Sequence, residues 1–288
     1  MVDDDGSRVV VVSVDVESDP AMFVAGHSGI EEGLPRLAEL FSAHDIPADY
    51  FFTLDAAQRV PDFLREQARG GRWFGSHGVQ HVPAHYNQQP ISWQERTLDD
   101  ATEGLTALAG ARPRMFRAPN FSVSAAILRC ADDLGYEVDS SVLPGRVKRR
   151  YRVLPVVDHR RAPRNPYHPD KSDPCKPGSL RLWEVPVTEN PAAPGAPIGL
   201  GFVNNERPEV VLRAIRDSSG LVITILCHPW EAIDLGKRYP GLPQWLTSAC
   251  TPDLSSFGAV LQSLRLEYEI KRLQDVVPRL GGAEGDFG

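Results

Sequence analysis

Short apolar runs alternate along this chain with stretches whose apolar residues recur at helical spacing. Val9-Val10-Val11-Val12-Ser13-Val14 is an unbroken β-branched run, the pattern of a strand buried on both faces as in a parallel sheet. It ends in Asp15-Val16-Glu17-Ser18-Asp19. Over 33–43, Leu34, Leu37, Leu40 and Phe41 recur at helical spacing with Pro35 in the first turn, which predicts a helix. Further strands are predicted over 49–54, 72–75, 114–117, 137–141, 180–187, 221–226 and 268–270. Helices are predicted between them over 61–69, 92–108, 124–134, 208–217 and 254–264. Gly70-Gly71 and Gly135 stop two of them, and Ser92-Trp93-Gln94-Glu95 has the capping-box pattern. Such alternation predicts an α/β fold built on a parallel sheet or barrel. The exception is 146–178, a Pro-, Arg- and Lys-rich connection without periodicity; loops of that length inside a domain are usually functional or disordered. The glycine-rich 281–288 reads as a disordered tail.

Composition narrows the class. At 288 residues, 42% hydrophobic and 24% charged, the chain is of globular type and long enough to bury a large core. A net charge of −7 argues against general nucleic-acid binding. No apolar run approaches the roughly 20 residues of a membrane span, so no stable membrane insertion is expected. The acidic start, Met1-Val2-Asp3-Asp4-Asp5-Gly6, lacks the basic-then-apolar pattern of a secretory signal. Cys130, Cys175, Cys227 and Cys250 are widely spaced and form no CxxC. Both features lead to the expectation of a cytoplasmic protein with reduced thiols.

Candidate chemistry gathers where strands end, the side on which parallel barrels carry their sites. Asp15 and Glu17 follow the first strand, His77 and His81 the third, Arg117 the next; Asp139 lies near the end of the following one, and His228 follows the late strand over 221–226. A helix beginning at His77 would turn His77 and His81 the same way. Two histidines with one carboxylate make a divalent-metal site with open positions. A metal there lowers the pKa of water and polarises a carbonyl. A second carboxylate as base, His228 as acid to a leaving amine and Arg117 holding the base complete an outline of amide or ester hydrolysis.

Four ordered motifs carry a resemblance. Ser13-Val14-Asp15-Val16-Glu17, His77-x-x-x-His81, Arg117-Ala118-Pro119 and Leu226-Cys227-His228-Pro229-Trp230-Glu231 resemble those of polysaccharide deacetylase-like enzymes, carbohydrate esterase family four. Order and approximate spacing match from about Val9 to Glu231. The resemblance implies a distorted (β/α)₇ barrel with an incomplete ring, and removal of an acyl group, usually acetyl, from the nitrogen of an amino sugar. It assigns Asp15 as catalytic base, Arg117 as its partner, His228 as general acid, Leu226 as a wall of the acyl pocket, and His77 and His81 as ligands of a divalent metal, zinc first, with cobalt or nickel as alternatives. The common pattern has two adjacent aspartates; here Val16 follows Asp15. A branch with Asp-x-Glu makes Glu17 the third ligand, with Asp19 as fallback. The usual aromatic after Arg-x-Pro is displaced, Asn120 preceding Phe121, and the backbone N–H near Asn120 is the candidate for holding the oxyanion. Asp139 is the candidate partner orienting His228, and Trp230 a wall of the pocket. The motif set looks most like a cytoplasmic branch tied to glycan or specialised-metabolite assembly.

The expectation is therefore a single catalytic domain over 1–280 with a basic insertion, acting as a metal-dependent N-deacetylase on a small N-acyl amino sugar. Rival readings are a deformylase or another C–N hydrolase of the same fold, and an inactive sugar-binding barrel. Residues 146–171 hold nine Lys/Arg (Arg146, Lys148, Arg149, Arg150, Arg152, Arg160, Arg161, Arg164, Lys171) against Asp158 and Asp170. In an acidic chain this asymmetry suggests either a solvated loop or a lid over an anionic handle, such as a nucleotide or lipid pyrophosphate.

Overall fold

A computed structural model describes residues 8–280 apart from 84 and 152; the expected tail over 281–288 lies outside the described residues. Among the described residues ten strands follow one another: β1 (Val9–Val16), β2 (Ala48–Phe52), β3 (Gly75–Ser76), β4 (Met115–Phe116), β5 (Val138–Asp139), β6 (Val147–Arg150), β7 (Leu154–Asp158), β8 (Trp183–Glu184), β9 (Val222–Cys227) and β10 (Glu269–Ile270). Eight of them form one sheet in the order β10-β1-β2-β3-β4-β5-β8, with β9 also paired to β1. Every pairing in it is parallel. The sheet curls into a half-barrel with helices packed outside.

Its ring stays open between β8 and β9. The chain there carries Pro186, Pro191, Pro194 and Pro197, which cannot donate to a ladder. Single bonds span the gap instead: Thr224 N–H donates to Thr188 Oγ1 at 2.8 Å, and Leu226 N–H to the Ile198 carbonyl at 3.0 Å.

Two-residue periodicity positions the site. On β1, Val10, Val12, Val14 and Val16 join the core shared with the helices, including Leu34, Leu37 and Phe41 of the helix Leu34–Ala43. The alternate residues face inward. Val9 and Val11 pack with Phe51, Met115, Val138, Val185 and Val222 beneath the C-terminal helix Leu273–Leu280. Continuing along that face, Ser13, Asp15 and Glu17 follow, all buried. The inner face of one strand thus changes from apolar at its start to ionisable at its end.

The predicted elements are mostly present, and the differences have local causes. β3, β4, β5 and β8 are two residues each, because the chain leaves the ladder as soon as it delivers its polar groups. The helix expected to open at Ser92 spans Ile91–Ala109, and no capping box forms at Ser92. Pro90 takes the cap position, its carbonyl accepting from the Trp93 and Gln94 N–H groups at 2.9 and 3.1 Å. The connection 146–178 is not wholly irregular: β6 and β7 pair as an antiparallel hairpin. The four cysteines are free thiols. No described helix is long and apolar enough to cross a membrane.

Candidate metal centre and active site

Glu17, His77 and His81 converge at the open end of the half-barrel, with one potential ligand atom from each lying within 4.8 Å of the others. Glu17 Oε2 is 3.3 Å from His77 Nε2 and 3.0 Å from His81 Nε2. Burial alone would raise the Glu17 pKa, but His81, His77 and His228 outweigh it and hold the carboxylate well below its usual range.

The two histidines are not on a helix. After β3 the chain runs through bends from His77 to Pro83. Gly78, at φ +78°, reverses it, and a Cβ there would stand 2.8 Å from the Tyr86 hydroxyl. The ring centroids of His77 and His81 end 5.7 Å apart. His77 Nδ1 is 2.7 Å from the Arg117 carbonyl, which fixes its proton on Nδ1 and turns the Nε2 lone pair toward Glu17. His81 Nδ1 faces the Asn120 side-chain amide at 3.3 Å. Asn120 and Phe121 both have positive φ (54° and 57°), a conformation costly for non-glycine residues and concentrated at functional sites.

The residues present fit a divalent ion. Two imidazole nitrogens and one carboxylate are a zinc donor set, one imidazole already has its outer nitrogen engaged, and buried Glu17 Oε2 has no conventional hydrogen-bond partner.

Asp15 sits beside this triad. Its Oδ1 accepts from Arg117 Nη1 at 2.6 Å, and its Oδ2 is 3.9 Å from His77 Nε2 and 4.0 Å from His228 Nε2. Arg117 is completely buried. It donates through Nε to the Ser140 carbonyl at 2.9 Å, through Nη2 to Ser140 Oγ at 3.0 Å and through Nη1 also to Ser13 Oγ at 3.1 Å, with its guanidinium 4.2 Å over the Phe51 ring. A buried cation is tolerated only with such satisfaction.

His228 faces the triad from β9, with Nε2 3.9 Å from Glu17 Oε1. The residue that orients it is Glu231, not Asp139. Glu231 Oε2 is 3.2 Å from His228 Nδ1 and accepts the His228 backbone N–H at 2.7 Å. Burial pulls the imidazole pKa down, yet Glu231, then Glu17 and Asp15, carry it up to about 9. Trp230 stacks on His228 at 4.8 Å and donates its indole N–H to Glu17 Oε1 at 3.2 Å.

Asp139 instead lies behind the site. Its Oδ1 accepts from Ser141 Oγ at 2.5 Å, and that hydroxyl in turn accepts from the Ala118 N–H at 2.7 Å. Asp139 Oδ2 and Glu184 Oε2 find no donor elsewhere. Burial raises both pKa values and the Asp139 charge raises Glu184 further, so a shared proton satisfies the pair. The two carboxyls brace the loop that carries Arg117. Asp19 is not a ligand either. Its oxygens accept from the Ser28 and Gly29 N–H groups at 2.9 and 2.7 Å and from the Tyr239 hydroxyl at 2.6 Å, turning it away from the histidines.

Leu226 packs with Phe121, Leu143 and Val187 in a small buried apolar cluster on the same inner face. Glu231 and Lys148 were not among the residues singled out for the site. The i,i+3 spacing of His228 and Glu231 was the available signal for the first. Lys148 reaches the site only through the hairpin, its ammonium donating to Asn120 Oδ1 at 3.3 Å, and nothing local announces that contact.

Residues 4–138 match the family described as polysaccharide deacetylase. A putative polysaccharide deacetylase from Mycobacterium smegmatis superposes with TM-score 0.63 at 17% identity, covering 98% of this chain and 93% of that one. Puue allantoinase superposes with TM-score 0.61 at 15% identity over the same shares, 98% and 93%. A CE4 family pseudoenzyme from Bacillus anthracis superposes with TM-score 0.53 at 13% identity, covering 94% of this chain and 66% of that one. No curated protein sequence matches the chain. Residues 4–138 are thus similar to the polysaccharide deacetylase family, and the chain shares the curled parallel half-barrel of these solved structures.

Proposed function

We propose that this protein is a metal-dependent hydrolase of the Asp-x-Glu branch, a single catalytic domain that removes an N-acetyl group from an amino sugar or small glycoconjugate intermediate in the cytoplasm. The observation that carries the reading is the convergence on one buried point of Glu17, His77 and His81 with Asp15 and His228 on either side. A divalent ion, zinc by its donor set, would be held by Glu17, His77 and His81 and would supply Lewis acidity, acidifying water and polarising the amide carbonyl.

The chain's own groups do the proton work. Asp15 takes the proton of the attacking water, and Arg117 holds the carboxylate aimed. His228, kept protonated by Glu231, gives a proton to the departing nitrogen. Leu226, with Phe121, forms the apolar wall against the acyl methyl. Trp230 keeps the carboxylate and the acid in register.

Glu231→Gln removes the strongest of the interactions that raise His228. An acid must be protonated, so activity falls as pH rises through its pKa. The alkaline limb of the kcat/KM profile is therefore expected above the ordinary histidine value and displaced to lower pH in Glu231→Gln. An alkaline limb unmoved by that substitution contradicts the assignment of His228.

A second reading, hydrolysis of a cyclic non-sugar amide, is favoured by the full-length likeness to Puue allantoinase. Zinc-loaded protein assayed side by side on N-acetylglucosamine derivatives, N-formyl analogues and allantoin separates them. Acetate release from the sugars supports the deacetylase reading. Turnover of allantoin alone replaces it, and no turnover of any of them with metal bound favours an inactive barrel.

A further inference from the structure

Cations of the segment 146–171 are not equivalent once folded. Arg160 is held by Asp158 through two contacts at 2.8 and 2.5 Å, and Arg164 by Glu189 at 2.7 Å. Arg146 donates to the Gly195 carbonyl at 3.0 Å with its guanidinium 5.0 Å over Phe121. Lys148 and Arg149, both on β6, have a different setting: they line a cleft of about 800 Å³ together with Pro83, His85, Gln88, Gln89 and Val156. Among the described residues neither is ion-paired; Lys148 donates to the neutral Asn120 side chain and Arg149 to the Val153 carbonyl.

We propose that this cleft is a subsite for a phosphate-bearing group of the substrate, with Lys148 and Arg149 as its cationic wall. The inference rests on reading Glu17, His77 and His81 as the hydrolytic centre, and it adds a substrate class to that reading.

Location supports it. Lys148 contacts Asn120, and Asn120 contacts His81, so the cleft begins one side chain away from the triad. Electrostatics supports it too. Burial, and then the neighbouring Arg146, pull the Lys148 ammonium down to about 8. Lys148 is a partly desolvated cation next to Arg149 on β6, and a bound phosphate relieves the cost of that burial. The single carboxylate on the facing strand, Asp158, is already engaged by Arg160. The cleft volume exceeds what an acetyl group needs and falls within the range of small-molecule sites.

The test is calorimetric titration of inorganic pyrophosphate into the full chain with chelator present, so that no metal competes for the probe. We expect saturable one-to-one binding, about tenfold weaker in Lys148→Met and in Arg149→Met, since a charge-assisted hydrogen bond contributes about 1.5 kcal/mol or more. Lys148→Arg should retain binding, which separates loss of charge from loss of fold. N-acetylglucosamine 1-phosphate and uridine diphosphate, titrated in the same way, identify the source: the tighter of the two assigns a phosphomonoester or a diphosphate handle. No saturable binding, or binding unaffected by both Met substitutions, overturns the proposal. None of these measurements uses turnover, so they stand or fall separately from the hydrolytic reading.

Discussion

Asp15→Asn is expected to lower kcat by about 10²- to 10⁴-fold, the usual contribution of a positioned general base, while leaving metal content unchanged. The substitution keeps shape and an acceptor for Arg117 Nη1, whose contact with Asp15 Oδ1 is 2.6 Å. It removes the lone pair that receives the water's proton. It does not touch Glu17, His77 or His81. A cost in stability should accompany it, because Arg117 is wholly buried and Asp15 is its only carboxylate partner among the described residues. Uncoupling a buried pair typically costs about 3–5 kcal/mol, reduced here by the three hydrogen bonds Arg117 makes to Ser13 and Ser140. Thermal unfolding therefore belongs beside the kinetics. A well-folded, metal-replete Asp15→Asn with near wild-type turnover contradicts the role given to Asp15.

His77→Ala should act on the metal itself. Removing one of three protein ligands is expected to weaken metal affinity by more than the roughly 10- to 100-fold that loss of an outer-shell partner costs, and to abolish turnover at ordinary metal concentrations. The two variants therefore separate on a single plot of metal content against activity: Asp15→Asn keeps metal and loses rate, His77→Ala loses both. His77 also bonds the Arg117 carbonyl, so some loosening of the loop bearing Arg117 is expected in the alanine variant. Retention of stoichiometric metal and activity in His77→Ala would place the centre elsewhere.

How much of this was legible in the sequence follows from the range of each interaction. The buried β-branched run announced β1, and strand ends collected Asp15, Glu17, His77, His81, Arg117 and His228, because period-2 alternation is a local property of the chain. The choice of Glu17 over Asp19 is also local in retrospect: Glu17 continues the inward face of β1, whereas Asp19 lies beyond the strand and caps Ser28 and Gly29. Partners contributed across the fold were harder to read. Asp139 was given to His228 by motif order, but it pairs with Glu184 across β5 and β8, and no periodicity encodes that buried carboxyl contact. Four-residue spacing suits a helix, on which the two histidines would point the same way; Gly78 at positive φ produces a similar convergence without one. The hairpin over Val147–Asp158 was hidden because its strands lack apolar alternation, being held by backbone pairing.

The central claim is that Glu17, His77 and His81 form a functional metal centre. Metal content of the purified full chain, measured before and after chelator dialysis and zinc re-addition, with amide hydrolysis followed on the same samples, tests it most directly. The account predicts close to one bound divalent ion per chain, loss of activity with the ion and recovery on its return. A chain that binds no zinc, cobalt or nickel, and gains no activity from any of them, would contradict it.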